Sequence, residues 1–101
     1  MTRIKFCLRQ GILTGFELTG HTGAGYSGSD IVCAAVSSAA LMTVNTITEI
    51  MDVPAEIIQH DGYLRVKLSI GGAKRCQALL EGLRLHLTEL QNQYPHNIKV
   101  I

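Results

Sequence analysis

The stretch LTGHTGAGYSGSDIVCAAVSSAAL, Leu18 to Leu41, decides how the chain is read. A strand-like segment runs into His21. A loop dominated by glycine and small residues follows, from about Gly20 to Gly28. A long helix then opens, capped by Ser29 or Gly28, with Asp30 and Cys33 in its first turn. Negative charge is favoured at that end of a helix, so a carboxylate or a thiolate is at home there. Two chemistries compete for the loop. Gly23-Ala24-Gly25-Tyr26-Ser27-Gly28 spells GxGxxG, the pattern of a dinucleotide cradle. The same loop is also long enough to turn the chain back and set a histidine against a cysteine.

The cradle is the weaker reading. A dinucleotide fold opens with a βαβ unit, and here a hairpin precedes the loop. The acidic residue expected about 20 positions on falls near Glu49, inside the helix. Asp30 at the helix mouth repels phosphate. A chain of 101 residues also has no room for the second half of such a fold.

Outward from the loop, the pattern is regular. Ile4, Phe6 and Leu8 alternate with Lys5 and Cys7, a half-buried strand. Gln10-Gly11 is a turn, and Ile12, Thr14, Phe16 and Leu18 alternate again, so the two form a hairpin. The helix reads on to about Met51, where Asp52-Val53-Pro54 ends it. It has no charged side chain between Ile31 and Thr48. Val32, Val36, Ala39, Thr43, Ile47 and Ile50 form one stripe; Cys33, Ser37, Leu41, Val44 and Met51 form another. A helix apolar on two faces is expected to be buried on two sides. A membrane span is a poor reading of the run, because serines, threonines and Asn45 interrupt it.

Ala55–His60 and Tyr63–Ile70 flank Asp61-Gly62, the strongest hairpin signal in the chain. Gly71-Gly72 is expected to break the second of these strands. A helix from about Ala73 to Gln93 follows, with Cys76, Leu79, Leu80, Leu83, Leu87, Leu90 and Tyr94 on one stripe, and Pro95 stops it. Asn97–Ile101 reads as a last short strand. The order is ββαββαβ, a single small α+β domain over residues 1–101. Its mostly antiparallel sheet packs with two helices, the first long and doubly buried. The surplus apolar surface of that helix implies a homodimer.

Composition narrows the function. Nine Lys and Arg against eight Asp and Glu leave a formal charge of +1. No strong field favours nucleic acid or membrane, and no direct nucleic-acid binding is expected. Three cysteines, an odd number and widely spaced, suggest neither a disulfide framework nor a zinc ribbon. Together with the lack of an apolar N-terminal leader, this points to the cytoplasm. The four histidines have no companions at metal-ligand spacing, so no metal and no cofactor is expected.

Cysteine chemistry needs thiolate, and an ordinary thiol, with a pKa of about 8.5, is mostly protonated at neutral pH. A helix start and a neighbouring histidine both favour the anion. His21 is the only histidine near Cys33 in sequence. Cys76 lies on the leucine stripe and reads as core; Cys7 alternates outward with no histidine beside it. Asp30 and Ser37 share the Cys33 side of the helix. Asp30 either orients His21 or is only a first-turn carboxylate. Ser37 either bonds near the thiol or only packs. Tyr26, the one large side chain in the loop, either covers a substrate or anchors the loop.

Gly20-His21, a glycine-rich loop and then Asp30-Ile31-Val32-Cys33-Ala34-Ala35-Val36-Ser37 opening a long helix resemble the Prp family of ribosomal-processing cysteine proteases. The resemblance covers the whole chain, from the hairpin ending in FELTGH to QYP followed by IKV. It implies a small homodimeric cysteine endopeptidase of the bacterial cytoplasm. Its substrate would be the N-terminal extension of large-subunit ribosomal protein twenty-seven, an apolar peptide with aromatic residues at the cut, which otherwise occludes the peptidyl-transferase region. The family's catalytic pair falls on His21 and Cys33. With it, Cys33 thiolate would form an acyl-enzyme, His21 would serve as general acid and base, and N–H groups around Cys33 would hold the oxyanion. The loop with Gly23, Gly25, Tyr26 and Gly28 would order over the substrate. The alternative is a non-catalytic ribosome-associated or assembly protein of the same fold, with Cys33 as a buried helix residue.

Overall fold

A computed structural model describes residues 1–20 and 27–101, with backbone only for residues 27–30. Strands β1 (Thr2–Arg9) and β2 (Ile12–Thr19) form the first hairpin. Helix α1 spans Ser27–Asn45 and continues as a π-helical turn, Thr46–Ile50. Strands β3 (Glu56–His60) and β4 (Tyr63–Lys67) form the second hairpin. Helices α2 (Ile70–Arg75) and α3 (Gln77–Gln93) and strand β5 (Ile98–Val100) complete the chain.

The sheet has five strands in the order β3-β4-β2-β1-β5. All neighbours are antiparallel except β1 and β5, which run parallel. Residues directly opposite share a face, so Ile4 with Leu18, Phe6 with Phe16, and Phe16 with Val66 form one apolar surface. The Phe6 and Phe16 rings lie 6.1 Å apart, tilted by 44°. The opposite face carries Arg3, Lys5, Glu17, Arg65 and Lys67. The alternation expected for β1 holds as far as Cys7. A bulge between Cys7 and Leu8 then turns Leu8 outward, where it is exposed rather than core.

Helix α1 buries Val32, Val36, Ala40, Thr43 and Val44 against this core, joined by Ile47 from the π turn. A helix can bury hydroxyls only if they find partners. Thr43, Thr46 and Thr48 donate to the carbonyls of Ala39, Met42 and Val44, four residues back, at 2.8, 2.7 and 3.1 Å. The stretch Ile31–Ile50 is long and apolar enough to cross a membrane. Here a third of the stretch is buried within the protein.

The expected double burial is not met within one chain. Ile31, Leu41, Met42 and Ile50 are exposed, with Ile50 at 79%. The π turn widens the helix and shifts its periodicity, which carries Ile50 off the buried stripe. The helix also begins earlier than expected, at Ser27, so Gly28 and Ser29 lie within it rather than capping it.

Gly71-Gly72 does not break a strand, contrary to expectation. Strand β4 ends at Lys67, and the two glycines lie inside α2. Ser69 caps that helix, its Oγ accepting the Gly72 N–H at 3.2 Å. The helical segment is then broken at Cys76. Just beyond the break, Gln77 clamps β2: Leu13 N–H donates to Oε1 at 3.0 Å, and Nε2 donates to the Leu13 carbonyl at 2.6 Å.

Candidate active site

One flank of α1 faces the core side of the β3–β4 hairpin without meeting it. A pocket of about 490 Å³ lies between them. Cys33, Val36, Ser37, Ala40 and Leu41 form the helix wall. The other wall is Gln59 to Leu64, and Leu18 and Gly20 close one end. The volume lies within the range of small-molecule and peptide sites. Val32, fully buried beside Cys33, fixes the helix rotation that presents the thiol. Cys33 itself is half-buried, so its sulfur has both a defined place and a route to solvent.

Gly20 sets the other end of the site. Its N–H donates to the Gly62 carbonyl at 2.9 Å, tying the end of β2 to the turn of the second hairpin. Its φ is +89°, and a Cβ there would sit 2.6 Å from the Met1 carbonyl oxygen. A side chain would therefore cost about 1–2 kcal/mol in backbone strain before any clash. This explains why glycine precedes His21. His21, Gly23, Gly25 and Tyr26 lie outside the described residues.

Gly28 and Asp30 lie within α1. Ser37, one turn beyond Cys33, lines the same pocket and is exposed. Because α1 starts at Ser27, Cys33 stands in the second turn rather than the first. The N–H groups free of the helix ladder are those of the first four residues. The Cys33 N–H is therefore inside the ladder, which removes it as the expected oxyanion donor. The helix end is also a turn further from the sulfur than the sequence suggested, and dipole effects fade over that distance.

The other cysteines separate as expected. Cys76 is buried; loss of solvent holds its thiol above the usual range, and its sulfur lies 4.0 Å from that of Met51. Cys7 is half-buried on the far face of the sheet, opposite Gly15. Cys33 is thus the one cysteine that lines the pocket. Among the described residues no group of three or more His, Cys, Asp or Glu is placed to hold a metal ion.

The hairpin wall was not legible as part of a site. Asp61-Gly62 signals a turn, and nothing in the sequence says that this turn meets β2 and α1. Tyr63 is anchored there by donating from Oη to Glu17 Oε2 at 2.7 Å. His60 stacks on it, ring centres 6.3 Å apart.

A five-stranded mixed sheet with helices on one face, and a solvent-reaching cysteine in a peptide-sized groove, define a small α+β thiol enzyme. The chain belongs to the family described as cysteine protease Prp, whose sequence pattern matches residues 1–99, and it is a cysteine protease. A Bacillus subtilis (strain 168) relative, the ribosomal processing cysteine protease Prp, is 29% identical over 97 residues, covering 90% of this chain and 86% of the relative. A Streptococcus mutans protein of known crystal structure is 36% identical, with a TM-score of 0.83 over 100% of this chain and 94% of that one. The essential ribosomal processing protease Prp from S. aureus, crystallised with a substrate peptide, shares the fold at a TM-score of 0.88 and 23% identity. That match covers 100% of this chain and 98% of the other.

The Tyr63–Glu17 contact, on the sheet face away from α1, responds to pH. The hydrogen bond to the Glu17 carboxylate, helped by desolvation and by its charge, raises the phenol above its ordinary 10.0. The protonated phenol is the form the fold favours. The contact is therefore intact below pH 10 and lost as pH rises through the raised value. Alkaline titration of tyrosinate absorbance should show a late-titrating phenol in the wild type. Tyr63→Phe should remove that phase; its persistence in the variant would place the late phenol elsewhere.

Proposed function

We propose that the chain is a ribosomal-processing endopeptidase with Cys33 as nucleophile and His21 as its general acid and base. The observation that carries this is the shared pocket. Gly20, which precedes His21 in the chain, and the half-buried Cys33 line the same groove. Cys33 Sγ, as thiolate, attacks the scissile carbonyl carbon. The C–N bond breaks, His21 gives its proton to the leaving amine, and a thioester remains on Cys33. His21 then takes a proton from water, whose oxygen attacks the thioester and frees the thiolate. Asp30 and Ser37 are supporting candidates beside this pair. The loop with Gly23, Gly25 and Tyr26 is the segment proposed to close over the substrate.

The proposed substrate is the N-terminal extension of large-subunit ribosomal protein twenty-seven, cleaved in the cytoplasm where ribosomes are assembled. The names of the B. subtilis and S. aureus relatives support a ribosomal substrate. The groove supports an apolar peptide, since Leu18, Val36, Ala40, Leu41 and Leu64 line it. A synthetic peptide carrying the host's own extension should be cut once by the wild type, read by mass spectrometry. Cys33→Ala should lower the rate by at least a thousandfold. Cleavage that survives Cys33→Ala would remove this cysteine from the mechanism.

The exposed face of α1 fits a second copy of the chain. Ile31, Met42 and Ile50 are each more than half exposed, on a helical stretch with no charge between Ile31 and Thr48. Sedimentation equilibrium should give a dimer for the wild type and a monomer for Met42→Lys. A wild type that sediments as a monomer at high concentration would refute the pairing.

A further inference from the structure

Strand β3 is one of the two edges of the sheet, and it is an unguarded one. All five of its residues are exposed, with Ile57 at 42% and Ile58 at 41%. Exposed edges are usually blunted by Lys, Pro or a bulge, because their unpaired N–H and C=O groups invite another strand. Between Glu56 and His60 there is no Lys and no Pro, and the β3–β4 register runs without a shift. The edge also leads somewhere. Gln59 and His60, its last residues, line the pocket that holds Cys33.

We infer that β3 is the docking edge for the substrate, which adds to the sheet as a sixth strand and delivers its scissile bond to Cys33. This rests on the protease reading above. The backbone geometry says which groups would bind. The two-residue turn closes on the pair His60–Tyr63, and hydrogen-bonded pairs then alternate along an antiparallel ladder. His60, Ile58 and Glu56 therefore spend their backbone groups on β4. Ile57 and Gln59 turn theirs outward. Residues pair two by two, so every second amide of the substrate would bond to this edge. Five residues at about 3.3 Å each give an edge of about 17 Å, enough for a peptide segment of matching length. Main-chain pairing supplies affinity, and the apolar groove beside it reads alternate side chains. A second copy of the chain is the weaker occupant, because α1 already offers it a larger apolar face.

The test uses the extension peptide with single backbone N-methyl groups placed one residue at a time. Affinity for Cys33→Ala is read by fluorescence anisotropy, and cleavage by the wild type is read in parallel. The expected result is a period of two: methylation at alternate positions weakens binding at least tenfold, and intervening positions change it less than threefold. Ile57→Pro, which removes an outward N–H without touching the β4 ladder, should weaken binding of the unmodified peptide at least fivefold with the thermal midpoint retained. Uniform tolerance of methylation would overturn the edge while leaving the protease reading intact. A period of two in binding with no cleavage by the wild type would support the edge and overturn the proteolytic reading of this peptide. An Ile57→Pro variant that turns a dimer into a monomer would assign the edge to a second copy, against the proposal.

Discussion

The packing of one helix, free of charge from Ile31 to Thr48, across one half of a sheet determines the rest of this molecule. Val32, Val36, Ala40, Thr43 and Val44 of α1, with Ile47 just beyond, are almost wholly removed from water. Burying the valine and isoleucine side chains among them contributes about 1.5–3 kcal/mol each, an upper range for folding from a compact denatured state. That stripe sets the rotation of the helix, and the rotation decides everything on its flanks. Cys33 and Ser37 fall on the edge of the stripe and line the groove; Ile31, Leu41 and Met42 are left at least half exposed. The helix is a core element on one side and a working surface on the others.

The second constraint is the seam between the two hairpins. The Gly20 N–H bonded to the Gly62 carbonyl brings the end of β2 to the turn of β3–β4. The β3–β4 wall is therefore held opposite α1, and sheet order sets this side of the pocket. A cysteine half-buried in such a wall is suited to thiol chemistry. It is held by its neighbours, yet open to a substrate, unlike the desolvated Cys76.

Much of this was legible in the sequence, and the exceptions have physical causes. The two hairpins, the long first helix and the leucine stripe of α3 were readable because periods of two and of about 3.6 are strong local signals. Cys76 followed from that stripe. The His21–Cys33 pairing was suggested by residue type and loop length, and His21 itself lies outside the described residues. Leu8 departed because a bulge is a property of strand pairing, not of alternation. Gly71-Gly72 read as a break, but a Ser69 cap starts the helix there, and tertiary packing tolerates glycine in a short helix. The start of α1 at Ser27 moved Cys33 into the second turn. The part played by Gln59 to Leu64 had no local signature, since only the strand order brings it to the cysteine.

The most direct test of the central claim is to label the enzyme with an electrophilic analogue of its substrate. A peptidyl chloromethyl ketone carrying the ribosomal extension sequence would be incubated with the wild type, and the adduct mapped by peptide mass spectrometry. One equivalent on Cys33, blocked by excess unmodified peptide, is the predicted result. An adduct on Cys7 or Cys76, or labelling of Cys33 that excess peptide does not slow, would contradict the assignment of this groove as the active site.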